Sequence, residues 1–267
     1  MAQTAIFVLG MHRSGMSPLA RPLNLIGVDR GPADRFDPSS PWNPTGYWEH
    51  TELRDINEDL LVRSAATSAI RLPCPYRRRI ATATGPQVAC RRDHPARLRR
   101  CRYLGIQSPH LHDARTADAC IMCVRDPLGV ADSLLHSSAP ANNGFDREQG
   151  VAMWTRCVAA SVAGSKGHAR TVVWYDDVLR DPAGELSRLA CEIGLGTADL
   201  SPKTLGAADA SVQPELRHHR PRKEDDEAGL PADTRDVLTA LRARDGDWAK
   251  LDRLADRLLR GQGAAGE

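Results

Sequence analysis

The chain has 267 residues, 41% hydrophobic and 4% aromatic, enough apolar material for an α/β core built from Leu, Val, Ile and Ala. A formal charge of +2 excludes a protein that binds polyanions over its whole surface, so any anion site has to be local. The N-terminus has no basic flank ahead of a long apolar stretch, which disfavours an export signal or a membrane span, and an odd count of seven Cys suits a reducing compartment; the expected location is the cytoplasm.

Residues 5 to 9, "AIFVL", form a short apolar run ended by Gly10, the pattern of a buried strand in a parallel sheet. Met16, Leu19, Ala20, Leu23 and Ile26 then recur at helical spacing up to Gly27, with Pro22 inside the pattern and expected to kink it. The polar, proline-rich connection over 29–50 is too long for a passive turn, and Thr51 is placed to cap a helix with Leu53, Ile56, Leu60 and Leu61 on its apolar face.

Between 68 and 102 neither the helical nor the strand period is legible. From Arg71 to Arg102 there are ten Arg and a single acidic residue, Asp93, a local charge of +9. This stretch reads either as a mobile basic insertion or as a segment whose pattern does not suit packing. It lacks the interleaved aromatics of single-strand nucleic-acid platforms, having only Tyr76 and Tyr103, so no nucleic-acid partner is expected.

Order returns with "YLGIQSPHL" at 103–111 and the apolar run "ACIMCV" at 119–124, a buried strand in which Cys120 and Cys123 read as core thiols rather than zinc ligands. Asp126 is the natural cap of the next helix, Pro127 its first residue, and Val130, Ala131, Leu134 and Leu135 its inner face. Asp146 with Gln149 makes a capping box for a helix whose Val151, Trp154, Val158 and Val162 share a face. "RTVVWYDD" reads as another strand, and Asp181 with Pro182 opens a helix that buries Leu186, Leu189, Ala190 and Ile193 and stops at Gly194. Leu238, Leu241, Leu251, Leu254 and Leu258 mark one or two amphipathic helices near the end, broken near Gly246.

Strands alternating with helices predict an α/β fold: a single domain over 1–267 with a three-layer, P-loop-type parallel sheet flanked by helices and right-handed crossovers. Within it, 68–103 is the atypical Arg-rich segment and 205–267 a helical tail.

The first strand, loop and helix carry the chemistry. Gly10 and Gly15 keep the G-x-x-x-x-G spacing of a phosphate-binding loop, but Met16 stands where an ATPase has Lys, followed by Ser17. Glycines let backbone N–H groups turn inward and the helix start adds partial positive charge, so an anion still fits. Without the Lys that holds β- and γ-phosphates, a ligand with no γ-phosphate suits the loop better, and Arg13 supplies a charge-assisted contact from inside it. Met16 speaks against the alternative of a small P-loop kinase.

"GMHRSGMS", "NPTGYWEH", "VRDPLGVADSL" and "WYDDVLRDP", in this order and spacing over residues 5–195, resemble the bacterial sulfotransferase family that uses 3′-phosphoadenosine-5′-phosphosulfate (PAPS). The resemblance implies transfer of a sulfuryl group from PAPS to a hydroxyl or amine of a small molecule or saccharide, with no metal. By the same resemblance Arg13, Ser14, Gly15, Met16 and Ser17 grip the 5′-phosphosulfate, and Arg125 with Ser133 the 3′-phosphate, as two separated clusters of donors. Arg13 is then the electrophilic stabiliser, Glu49 the general base and His50 the runner-up. The family usually has Thr at Met16 and often a Lys at Gln107, so a hydroxyl donor and a cation are missing here; an inactive or weakly active nucleotide-binding relative is the second reading. Arg217, His218, His219 and Arg220 read as a solvated cluster, with closure over the nucleotide as the alternative. Neither acceptor identity nor oligomeric state is legible, and no membrane partner is expected.

Overall fold

The computed structural model describes residues 4–29, 33–36, 51, 103–108, 119–137, 146–194, 200–212, 227–243 and 246–260. Its strands are β1 (Thr4–Leu9), β2 (Val28–Asp29), β3 (Tyr103–Ser108), β4 (Ala119–Val124) and β5 (Ala169–Trp174). Among the described residues the four pairings are parallel and the order across the sheet is β2-β3-β1-β4-β5.

The helices are α1 (Met16–Leu25), α2 (Pro127–Ser137), α3 (Arg147–Gly164), α4 (Tyr175–Arg180), α5 (Pro182–Glu192), α6 (Pro202–Ser211), α7 (Ala232–Ala243) and α8 (Trp248–Arg260). Side chains alternate along β1 and β4 and so feed two cores. Phe7, Leu9, Cys120, Met122 and Val124 meet α2, α3, α7 and α8 on one face. Ile6, Val8, Ile121 and Cys123 meet α1, α5 and α6 on the other, completing the expected three-layer α/β arrangement. Cys120 and Cys123 therefore lie in different cores, where burial pushes their thiols up to about 11 and about 12.

Helix starts follow their local chemistry. Asp126 Oδ1 accepts from the N–H groups of Leu128 and Gly129 at 2.9 and 3.0 Å, Asp146 and Gln149 form both halves of a capping box, and Asp181 Oδ1 accepts from Gly184 at 2.8 Å. Leu135, expected on the inner face of α2, is only half-buried, and Leu128 and Ser133 are buried there too.

One other expectation changes, at the end of β5. The chain leaves β5 at Trp174, and Tyr175, Asp176 and Asp177 open α4, where two carboxylates favour the first turn, instead of extending the strand. α1 runs through Pro22 to Leu25 with that proline buried, and Pro18 sits in the first turn, where its missing N–H costs no helical bond. Thr51 donates its hydroxyl to the Arg35 carbonyl at 3.1 Å, tying it to the 3₁₀ turn Ala33–Arg35; the rest of its expected helix lies outside the described residues. Two helices, α7 and α8, flank Gly246 at φ 72° as the spacing of leucines implied.

Candidate functional site

β1 sits between β3 and β4, and the helices that follow β1 and β4 leave to opposite faces of the sheet. A crevice opens beyond the carboxyl ends of neighbouring parallel strands wherever their connections diverge in this way. The loop His12–Gly15 and the β4–α2 segment with Arg125 and Ser133 lie at this place and are in direct hydrogen-bond contact.

The loop is shaped by two glycines and one unusual arginine. A Cβ on Gly10 would lie 2.5 Å from the Cys123 carbonyl oxygen, so glycine is what lets the loop cross so close to β4. Ser14 N–H closes a turn on the Met11 carbonyl at 3.1 Å, and the Ser14 carbonyl accepts from Cys123 Sγ at 3.2 Å. Arg13 has φ 70°, a left-handed conformation rare outside glycine, and Gly15 follows at φ 93° as the cap of α1. No side chain caps that helix and its first turn holds no acidic residue, so its partial positive charge is not neutralised locally.

The predicted donors converge more tightly than the sequence implied. Arg13 Nε–H donates to Ser133 Oγ at 2.9 Å, and Arg125 Nη1 donates to the Arg13 carbonyl at 3.1 Å. What read as two separated clusters is thus one continuous network across the crevice. Ser133 is 1% exposed and Arg125 6% exposed, so both lie buried at this junction.

Two further observations bear on what the crevice accepts. Arg13 is half-buried with no carboxylate partner among the described residues, so its charge lacks a compensating anion. Ser14 Oγ is buried, at 1% residue exposure, and has no hydrogen-bond partner among the described residues. A phosphoryl or sulfuryl oxygen is the chemistry both would take, and the donor set fits a small polyanion. Met16 is buried at the first position of α1 and its side chain offers no donor there, and Ser17 is half-buried in the same turn.

Residues that the sequence did not single out complete the crevice. The Tyr175 ring lies with the Arg125 guanidinium 4.7 Å over it, and a Cβ added to Gly15 would meet Tyr175 Cδ2 at 2.2 Å. One ring therefore touches both the loop and Arg125. Trp154, expected only as a core residue, donates its indole N–H to the Arg125 carbonyl at 2.9 Å. His12 beside the loop is held neutral: burial, with Arg13 adding to it, lowers its pKa to about 4. Burial raises the Asp126 carboxyl, offset by the two N–H groups it caps.

Glu49, His50, the Arg-rich stretch 71–102 and the cluster Arg217–Arg220 lie outside the described residues, and of Gln107 only its backbone place in β3 is described. Among the described residues no group of His, Cys, Asp and Glu could hold a metal ion, and no helix is long and apolar enough to cross a membrane.

No family model and no curated protein matches the chain. Among solved structures, it is similar to retinol dehydratase in complex with androsterone and inactive cofactor PAP, with TM-score 0.41 and 13% identity over 98% of this chain and 81% of that one. It is also similar to the sulfotransferase domain of the Synechococcus PCC 7002 olefin synthase, with TM-score 0.40 and 16% identity over 96% of this chain and 95% of that one.

Proposed function

We propose that the chain is a PAPS-dependent sulfotransferase that delivers the sulfuryl group to a hydroxyl, or an amine, of a small molecule or saccharide. The observation that carries this reading is the Arg13–Ser133–Arg125 network. Two guanidinium groups and a buried serine meet at the start of a helix that lacks the ATPase lysine. The order and spacing of the four sequence motifs support the same reading.

PAPS would supply an activated sulfuryl group on a phosphate leaving group. Arg13, Ser14, Gly15 and Ser17 are the residues to hold its 5′ end, through backbone N–H groups of the loop, the unpartnered Ser14 hydroxyl and the Arg13 guanidinium. Arg125 and Ser133 would hold the 3′-phosphate, the guanidinium and hydroxyl giving several donors to a doubly charged group. Arg13 would stabilise negative charge developing on the leaving oxygen. Glu49, or His50 in its stead, would take the acceptor proton, an assignment that rests on sequence alone.

Met16 favours a second reading, a weakly active relative that binds the nucleotide. Its apolar side chain fills the position where the family's Thr would donate, and a hydrogen bond to a charged group is worth about 1.5–3 kcal/mol, or one to two orders of magnitude in rate.

The test is transfer of labelled sulfate from PAPS to a panel of hydroxyl and amine acceptors, beside calorimetry with adenosine 3′,5′-bisphosphate. Transfer establishes the first reading, and binding without transfer the second. Absence of binding at low ionic strength overturns both.

A further inference from the structure

We infer that Trp154 is a positioning residue: through the Arg125 carbonyl it fixes the strand end that projects the Arg125 guanidinium, and so sets how strongly the site prefers a nucleotide bearing a 3′-phosphate. This rests on the reading that Arg125 receives that phosphate.

Arg125 occupies an awkward backbone position. The ladder between β4 and β5 ends with the pair Val124 and Trp174, one residue earlier. The carbonyl of α2's capping residue, Asp126, accepts the first helical bond, from Val130 at 2.9 Å, so the Arg125 carbonyl stands one residue too early for the helix. It falls between sheet and helix, in a buried place where an unpaired carbonyl is costly. The indole N–H of Trp154 supplies the bond at 2.9 Å, from a side chain with no exposed surface.

The indole is well placed to hold a fixed position. α3 packs its buried face, with Val151, Trp154, Cys157 and Val158, into the same core as Val124, Leu128 and Leu134 on β4 and α2. At its far end the Arg125 side chain meets the Arg13 carbonyl at 3.1 Å and the Tyr175 ring at 4.7 Å. Trp154 thus anchors the root of a side chain whose tip is held by the phosphate loop and by α4. Loss of the root bond lets the carbonyl turn toward another donor and carries the guanidinium with it.

The experiment compares affinities for adenosine 3′,5′-bisphosphate and adenosine 5′-monophosphate, by calorimetry, in the full chain and in Trp154→Phe, Arg125→Ala and the double variant. Trp154→Phe should lower the preference for the bisphosphate about tenfold and leave monophosphate affinity unchanged. The double variant should be no worse than Arg125→Ala. Equal weakening of both ligands, or an unchanged preference, overturns the inference, since a general softening of the core does not select between them. If Trp154→Phe does not fold, the benzothiophene isostere of tryptophan at 154 keeps the shape without the N–H and is held to the same outcomes. A parent chain with no preference for the bisphosphate removes the Arg125 reading and this inference with it, whereas a preference that survives loss of the indole N–H removes this inference alone.

Discussion

Arg13 donates to Ser133 at 2.9 Å across 120 positions of sequence, so a hydrogen bond joins the loop after β1 to the helix after β4, the residues proposed to hold the two ends of the nucleotide. Residues that share a partner respond non-additively, with interaction energies of about 0.5–3 kcal/mol. Ser133→Ala should weaken adenosine 3′,5′-bisphosphate about 10–100-fold, the worth of a hydrogen bond to a charged group. Arg13→Ala should weaken it at least as much, and the double variant by clearly less than the product. A calorimetric cycle that is additive to within about 0.5 kcal/mol would show the two donors to be independent.

The loop conformation makes opposite demands on its two left-handed residues. Gly15→Ala adds a methyl group 2.2 Å from the Tyr175 ring in a backbone that disfavours it, at about 1–2 kcal/mol for the conformation and about 1–3 kcal/mol for overpacking. Arg13→Gly relieves the left-handed cost at φ 70°, roughly balancing the lost bond to Ser133, about 0.5–1.5 kcal/mol. Urea unfolding should therefore find Gly15→Ala strongly destabilised and Arg13→Gly within about 1 kcal/mol of the parent, although its anion affinity is lost. A large loss of stability in Arg13→Gly would refute this account of the loop.

Local signals explain what was legible in the sequence. The strand, the Gly10–Gly15 spacing and the caps Asp126, Asp146 and Asp181 are short-range features, and each stands where its chemistry put it. The strand β5 was overextended because "VVWY" continues an apolar run, while the chain turns into α4 at Tyr175. α6 has few apolar positions to show a period, Leu205 and Ala208 among them, although Ser201 before Pro202 carries a cap signature. Tyr175 and Trp154 were illegible as site residues for a different reason. Their relation to Arg125 depends on how α4 and α3 pack on the sheet, and no spacing in the sequence encodes that.

His12 gives the stability a pH dependence with a definite sign. Its folded pKa is about 4 against 6.5 unfolded, so between those values the unfolded chain takes up a proton that the folded chain refuses. The His12 contribution to stability should be constant above pH 6.5, fall as the pH drops toward about 4, and level off below it. The full shift is worth about 3 kcal/mol, and solvent at the half-buried ring reduces this to about 1–2 kcal/mol. His12→Asn should lose this part of the pH dependence, so that the stability difference between parent and variant in urea unfolding changes with pH over that window. An unchanged slope would mean that the imidazole titrates normally in the folded protein.

Helix α8 is held by a largely buried ion pair between two partly exposed residues, away from the crevice. Arg170 on β5 meets Asp252 on α8 through two bonds of 2.8 Å, with side chains 7% and 14% exposed. The guanidinium also lies 4.4 Å over the Trp248 ring and donates to the Val162 carbonyl at 3.2 Å, so one side chain joins β5, α3 and α8. Removing one partner leaves the other charge buried and uncompensated, typically at about 3–5 kcal/mol, whereas replacing both with apolar groups of similar volume is often neutral. Asp252→Asn should accordingly destabilise the chain by that order and raise amide exchange over 248–260 ahead of β4, while Arg170→Met with Asp252→Leu recovers most of the loss. Bisphosphate affinity should stay unchanged in both, because none of the donors in the Arg13–Ser133–Arg125 network comes from α8. Exchange that rises equally over β4 and 248–260 would show that α8 does not open separately and that the pair holds the whole sheet together.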